Sequence, residues 1–155
     1  MQPVLDALIP LVDVFEELGI PYYLGGSLAS TAHGIPRTTL DVDLIADVQV
    51  WHVPYLVQRL HMQYYIHSPE LLDAIEQRSA FNLLHLASLI KLDVFLAPDR
   101  AFDRSKAQRV HALALSPAHP RQFWVTSPED SSRSWNGICT GGRSRNDSGK
   151  IYRAC

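Results

Sequence analysis

The sequence predicts an α/β domain in which a small mixed β-sheet is flanked by helices. Apolar residues at helical spacing alternate with short runs that have the two-residue period of a strand, up to about residue 125. The chain has 155 residues, of which 46% are hydrophobic and 19% charged, and this is enough for the core of one globular domain. We therefore expect one domain over residues 1–130.

The first predicted element is a helix over residues 4–18. Pro10 lies inside this span and either kinks the helix or marks its first turn. Gly19 ends the helix, and residues 22–24 follow as the first strand. The residues that recur at helical spacing are Val4, Leu8, Leu11, Val12, Phe15 and Leu18.

Helical and strand patterns continue to alternate along the rest of the chain. Residues 27–33 are predicted to form a helix. The strand patterns at 81–86 and 90–96 are joined by a short link, which indicates a β-hairpin. The remaining predicted elements are helices over 53–60, from Ser68 and over 99–109, strands over 63–66, 111–115 and 123–125, and a helix start at 126–130.

Three aspartates are candidate metal ligands. Asp41 and Asp43 are two residues apart in an apolar run, so in a strand both carboxylates leave from one face. Neighbouring carboxylates repel each other, and a cation between them offsets this repulsion. Mg²⁺ is coordinated by carboxylates together with substrate phosphates. Asp93 lies with Lys91 on the polar face of the 90–96 strand and is the third acid. Three carboxylates are a suitable ligand set for phosphoryl transfer with two Mg²⁺ ions.

A glycine-rich turn supplies a candidate phosphate site. Gly25 and Gly26 directly follow a predicted strand and allow a sharp turn, and Ser27 then stands at a helix N-terminus, where free N–H groups attract phosphate. Arg37, in the loop before the acid strand, either reaches a phosphate oxygen or is solvated. Lys91 either holds a triphosphate or pairs with Asp93.

These motifs together resemble the nucleotidyltransferases of the DNA polymerase beta superfamily. Those enzymes carry Gly-Gly or Gly-Ser at a helix start, Asp-x-Asp on the next strand and a single Asp later. Here, thirteen residues separate Ser27 from Asp41, within the usual range of the family. The resemblance covers roughly residues 15–130, and the segments 37–43 and 91–95 are most similar to the toxin nucleotidyltransferases of bacterial abortive-infection systems.

The resemblance implies a metal-dependent enzyme that transfers a nucleoside monophosphate from a nucleoside triphosphate to an acceptor hydroxyl. Asp41 and Asp43 would bind metal, and Asp93 would complete the site and help to deprotonate the acceptor. The acceptor would be RNA, protein or a small molecule, with tRNA or another RNA favoured, and a toxin would have a cognate antitoxin. The groups that would bind the nucleotide are Gly25, Gly26, Ser27, Arg37 and Lys91.

The alternative is a catalytically inactive relative that keeps the fold and binds or regulates another protein, although retention of all three acids argues against it. Zinc and serine-hydrolase sites are disfavoured, because no two of the seven histidines are four residues apart and no Gly-x-Ser-x-Gly motif occurs. Residues 1–130 carry a formal charge of −6, which disfavours broad nucleic-acid binding. Without an apolar run of membrane-spanning length or a signal-peptide pattern, we expect a cytoplasmic protein.

Residues 131–155 differ in character from the rest of the chain. This tail has almost no apolar periodicity and carries five Lys and Arg residues against one acid. Codons can be chosen for 131–138 and for 146–151 so that one neighbouring reading frame encodes helical sequence in both. We therefore hypothesise a frameshift near Asp130 that replaced a C-terminal helical region, leaving an irregular tail and impaired acceptor recognition. Cys139 and Cys155 are then unpaired and incidental.

Overall fold

The computed structural model describes residues 1–25, 28, 41–97 and 110–126, and at Asp41 the main chain alone. Its helices are α1 (Gln2–Glu17), α2 (Val53–Leu60) and α3 (Ser68–Glu76), and a 3₁₀ turn (Val50–His52) leads into α2. Its strands are β1 (Tyr22–Leu24), β2 (Asp41–Ala46), β3 (Tyr64–Tyr65), β4 (Ala80–His85), β5 (Lys91–Leu96), β6 (Val110–Ser116) and β7 (His119–Thr126). None of the described helices is long and apolar enough to cross a membrane.

The described strands form one mixed sheet in the order β3-β4-β5-β2-β1-β7-β6. Strands β2 and β5 run parallel to each other, as do β1 and β7. The other neighbouring strands are antiparallel, including the β4–β5 hairpin. The predicted α/β class with a small mixed sheet is therefore confirmed.

Helix α1 forms because its apolar residues recur on one side, which packs against the sheet. It accommodates Pro10 in its interior, so Pro10 is not its first turn; Pro3 instead lies there. The helix ends just before Gly19, which takes a left-handed conformation with φ of +66°. The buried residues of α1 are Leu5, Ala7, Leu8, Leu11, Val12, Val14 and Phe15.

The main hydrophobic core lies on one face of the sheet, where the described helices pack. Side chains alternate along a strand, and Val42 and Leu44 of β2 and Leu92 and Val94 of β5 are all fully buried on this face. The intervening residues of both strands consequently lie on the opposite face.

We call this opposite face, which bears Asp43 and Asp93, the acid face. Ile45 lies two residues beyond Asp43 and packs with Tyr23 and Ala97 in a second, smaller apolar cluster. The acid face is thus polar toward the amino ends of β2 and β5 and apolar toward their carboxyl ends.

Ion pairs hold the β6–β7 hairpin against α1. Arg121 Nη1 lies 2.6 Å from Asp13 Oδ1, and Arg121 Nη2 lies 3.0 Å from Glu16 Oε2. The Tyr22 hydroxyl donates to Glu16 Oε1 at 2.9 Å. Burial, and next the bond to Glu16, raise the pKa of this hydroxyl, so it remains a donor.

Several element boundaries differ from those predicted. The strand expected over 63–66 is only Tyr64–Tyr65. The pattern at 123–125 belongs to the longer β7, whose pairing with β6 and with β1 was not predicted. Leu28 is helical and buried, but the rest of the expected 27–33 helix, the expected 99–109 helix, residues 127–130 and the tail lie outside the described residues.

Candidate active site

Two of the predicted acids are adjacent on the parallel strands β2 and β5. The register pairs Asp43 with Asp93, and it pairs the main chain of Asp41 with Lys91. Paired residues on neighbouring strands leave from the same face, and the strands are about 4.8 Å apart. Asp43 and Asp93 are therefore close neighbours on the acid face, where their like charges favour a cation between them.

Asp93 is held in a partly buried environment with one oxygen left over. Its side chain is 16% exposed, and Oδ2 forms an ion pair with Lys91 Nζ at 2.9 Å. Oδ1 is buried, and no hydrogen-bond partner for it is found in the described part of the chain. A buried carboxylate oxygen without a partner is unfavourable, so this atom can accept a cation or a proton.

Gly25 places the end of β1 close to the acid strand. Its N–H donates to the Asp43 carbonyl oxygen at 3.0 Å. A Cβ at this position would lie 2.9 Å from Ile45 Cδ1, so any larger residue would require the end of the Ile45 side chain to shift. Leu28, three residues further along the chain, is buried in the main core.

The structure thus brings Asp43, Asp93 and Lys91 together and places Gly25 against β2. Gly26, Ser27, Arg37 and the side chain of Asp41 lie outside the described residues. Without that side chain, the described ranges hold no group of three His, Cys, Asp or Glu residues that could bind a metal ion. Two carboxylates on one face and the unpartnered Oδ1 of Asp93 fit an oxygen-preferring divalent cation as part of its ligand set.

Asn82 is a polar neighbour of the acids that no sequence motif indicates. It lies on β4 directly opposite Asp93, so Asn82, Asp93 and Asp43 form one row across three strands of the acid face. Phe81 and Leu83 on either side are buried, whereas Asn82 is exposed. The alternation of β4 predicts its face, but only the hairpin register places it beside Asp93.

A second polar cluster lies at the carboxyl ends of β2 and β5. We call it the Arg78 cluster, and it consists of Asp47, Gln49 and Arg78. Asp47 Oδ1 accepts from Gln49 Nε2 at 2.6 Å and from Arg78 Nη1 at 3.1 Å. Arg78 Nη2 also donates to Gln49 Oε1, and Arg78 Nη1 donates to the carbonyl oxygen of Ala97, each at 3.4 Å. Arg78 therefore connects the segments that follow β2 and β5.

His52 extends this arrangement to the 3₁₀ turn. The main-chain N–H of Gln49 donates to His52 Nδ1 at 3.0 Å, as part of a reciprocal capping box. Burial lowers the pKa of His52, and the attraction of Asp47 for the charged form opposes this only in part. The neutral imidazole is therefore the form that the fold prefers.

No protein-family model matches the sequence, and no curated protein matches it. Among solved structures, a proposed nucleotidyltransferase from Thermotoga maritima is similar with a TM-score of 0.55 and 12% identity, over 87% of this chain and 84% of that chain. A lincosamide antibiotic adenylyltransferase with bound lincomycin aligns with a TM-score of 0.49 and 16% identity, over 92% of this chain and 89% of its own. A CCA-adding enzyme in complex with ATP aligns with a TM-score of 0.49 and 15% identity, over 86% of this chain and 32% of its own.

The similarity to the Thermotoga maritima protein supports the nucleotidyltransferase-type fold that the sequence motifs predicted. At 12% identity it establishes the fold and not the activity. The two alignments with a TM-score of 0.49 are too weak to support a conclusion about this chain.

Proposed function

We propose that this protein transfers a nucleoside monophosphate from a nucleoside triphosphate to an acceptor hydroxyl. The observation that carries the proposal is the adjacency of Asp43 and Asp93 on parallel strands, with a buried oxygen of Asp93 left without a partner among the described residues. A purely structural carboxylate pair would instead be expected to have its buried oxygens satisfied. The nucleotidyltransferase-type fold agrees with this chemistry.

The residues have distinct roles in the proposed reaction. Asp41, Asp43 and Asp93 provide oxygen ligands for Mg²⁺. When bound, two Mg²⁺ ions would neutralise the charge that develops on the phosphoryl group. Asp93 additionally has an oxygen that can accept the hydroxyl proton.

The reaction exchanges one P–O bond for another and moves one proton. The acceptor oxygen forms a bond to the α-phosphorus, and the bond from the α-phosphorus to the bridging oxygen breaks. Pyrophosphate leaves with the electron pair of that bond, and the acceptor proton passes to a base, which we assign to Asp93. Because attack is in line, acceptor and pyrophosphate lie on opposite sides of the α-phosphorus.

The turn after β1 is the proposed site of the β- and γ-phosphates. Gly25, the first residue of this turn, donates its N–H to the Asp43 carbonyl oxygen, and this contact supports a phosphate site next to the acid strand. Arg37 and Lys91 are the candidate cations for the triphosphate. Lys91 is paired with Asp93 in the structure, which supports the alternative that its role is to hold that carboxylate.

We further propose an RNA end, with tRNA favoured, as the acceptor of a toxin-like enzyme that a cognate antitoxin restrains. This rests on the resemblance of segments 37–43 and 91–95 to abortive-infection toxins. An altered C-terminal region, from the hypothesised frameshift, would impair acceptor selection before it impaired nucleotide binding.

The test is incubation of the protein with each α-³²P-labelled nucleoside triphosphate and a cell extract, with Mg²⁺ or with EDTA. Label should enter one fraction, RNA, protein or small molecules, in the Mg²⁺ samples only. The matched control is the isosteric variant Asp43→Asn. If wild type and Asp43→Asn label equally, or if neither labels any fraction, the inactive binding protein becomes the better description.

A further inference from the structure

The acid face continues past Asp93 to the edge of the sheet as an uncharged surface. On β4, Asn82 is opposite Asp93 and Leu84 is opposite Lys91, and on β3, Tyr65 is opposite Leu84. Cross-strand partners share a face, so Asn82, Leu84 and Tyr65 all lie on the acid face. We call these three residues the outer ledge.

The outer ledge combines a hydrogen-bonding amide with an exposed aromatic ring. Tyr65 is 65% exposed, and Asn82 is exposed as well. Tyr65 lies on the edge strand of the described sheet, and its ring is exposed to solvent and is not part of the hydrophobic core. The carboxamide of Asn82 makes no side-chain hydrogen bond within the described ranges, and Asp93 Oδ1 beside it also lacks a partner there.

The position of Gly25, the first residue of the proposed phosphate turn, indicates which substrate the outer ledge can contact. Gly25 leads from β1, on one side of β2, whereas the ledge lies beyond β5, on the other side. In-line transfer requires the leaving pyrophosphate and the attacking hydroxyl on opposite sides of the α-phosphorus. With the triphosphate on the β1 side, the acceptor comes from the ledge side.

We propose that the outer ledge binds the acceptor, and that the part bound there is an uncharged ring that carries the reacting hydroxyl. Tyr65 stacks on this ring, and Asn82 donates to or accepts from one of its polar groups while Asp93 takes the proton. Lys91, the neighbour of Leu84, is paired with Asp93, so this surface suits a neutral ring better than a row of phosphates. The inference rests on the proposed function and specifies its acceptor side.

The experiment measures KM for the nucleotide and for the acceptor separately, in Asn82→Ala, Tyr65→Ala and the wild type. One arm uses total tRNA, whose terminal nucleoside would be the ring, and the other uses a mixture of nucleosides and glycosides. Control variants are Gln122→Ala, an exposed strand amide on β7, and Tyr55→Ala, a 57% exposed tyrosine on α2. Circular dichroism checks that each variant is folded.

In the arm that accepts label, each ledge variant should raise the acceptor KM roughly tenfold, the scale of a lost stacking contact, and leave the nucleotide KM unchanged. Label in the tRNA arm identifies a terminal nucleoside, and label in the other arm identifies a free glycoside or nucleoside. Wild-type acceptor KM in both ledge variants overturns the outer ledge while the proposed function stands. Absence of transfer by the wild type in both arms overturns the outer ledge, and the proposed function fails as well only if the wild type also labels no fraction of a cell extract.

Discussion

The acid pair, Asp43 and Asp93, lies on strands β2 and β5, and the Arg78 cluster lies at the carboxyl ends of the same strands. The two polar groups differ in how completely their atoms are paired. In the Arg78 cluster, Asp47 Oδ1 accepts two hydrogen bonds, and Arg78 reaches three acceptors. In the acid pair, Asp93 has one oxygen bound to Lys91 and one buried oxygen without a partner in the described ranges. The Asp47 side chain is also more exposed, at 36% against 16% for Asp93.

This difference separates charges that stabilise the fold from charges that are kept for a ligand. Burial penalises an unpartnered polar atom, so a group that serves stability alone is expected to have partners. Asp93 bears that penalty beside the like charge of Asp43. We infer that removing charge from the acid pair changes activity, whereas removing charge from the Arg78 cluster changes stability.

The largest effect is expected for Asp93→Asn. Loss of the carboxylate should lower the transfer rate by at least about 10²–10³-fold, the scale seen when a single electrostatic group is removed from an active site. The free energy of unfolding should change by less than about 1 kcal/mol, because the ion pair with the half-exposed Lys91 is worth little and repulsion from Asp43 is relieved. Rates of label transfer and urea denaturation measure the two quantities.

The control for this prediction is Asp73→Asn, which removes an exposed acid on α3, the helix that packs on the face of the sheet opposite the acids. It should leave both the transfer rate and the stability at the wild-type values. Normal transfer in Asp93→Asn would contradict the assignment of Asp93 to the site.

The second prediction concerns Arg78, whose side chain holds Asp47 and whose φ of +49° is left-handed. Arg78→Ala should lower the free energy of unfolding by about 1 kcal/mol, because the partly exposed Asp47 and Gln49 and the carbonyl oxygen of the buried Ala97 lose their donor. Arg78→Gly removes the same bonds but relieves the backbone, so it should be more stable than Arg78→Ala by roughly 1 kcal/mol. Urea denaturation of both variants measures this.

Transfer per folded molecule should stay near the wild-type rate in both Arg78 variants. Equal stability of the Ala and Gly variants would show that the left-handed backbone carries no strain. A transfer rate as low as that of Asp93→Asn would abolish the distinction between the two polar groups.

The sequence was sufficient to predict the strands that carry the acids and the face from which the acids leave. It was not sufficient to predict which residues lie opposite them on the neighbouring strands. Buried Val42 and Leu44 alternate with the acids of β2, and this local two-residue period predicts a strand and its sides. The pairing of Asp43 with Asp93 depends on the register between strands that are 50 residues apart in the sequence. Local patterns carry no information on such pairings.

The same limit explains further features that were not predicted. Asn82 joins the acids only through the hairpin register, and β7 reaches β1 by a contact between Leu24 and Val125. The Arg78 cluster was not predicted either, because Arg78 is 31 residues from Asp47 in the sequence and meets it only in the folded chain.

The third prediction concerns Lys91, the ion-pair partner of Asp93. It tests whether this cation stabilises the fold or binds the nucleotide. Lys91→Met keeps the apolar stem and removes the charge that occupies Asp93 Oδ2. We expect a loss of about 0.5–1 kcal/mol in unfolding free energy and tighter Mg²⁺ binding, because a competing cation is gone. Calorimetric titration with Mg²⁺ measures the second effect. A rise of roughly tenfold in the nucleotide KM, about 1.4 kcal/mol, would instead assign Lys91 to the triphosphate.

The smallest effect should come from His52, at the margin of the Arg78 cluster. Burial lowers its pKa below the ordinary 6.5, so as the pH falls below 6.5 the unfolded chain binds a proton more readily than the folded chain. The stabilisation by neutral His52 is therefore complete above pH 6.5 and is lost as the pH falls through the pKa of the folded state.

His52→Asn keeps an acceptor for the Gln49 N–H and cannot titrate. Urea denaturation at pH 7 and pH 5 should accordingly show a smaller loss of stability in His52→Asn than in the wild type. The control is His61→Asn, at an exposed position just after α2, which should lose as much stability as the wild type does. An equal loss in His52→Asn and the wild type would mean that the neutral imidazole contributes nothing to the cluster, and that its stability comes from Asp47, Gln49 and Arg78 alone.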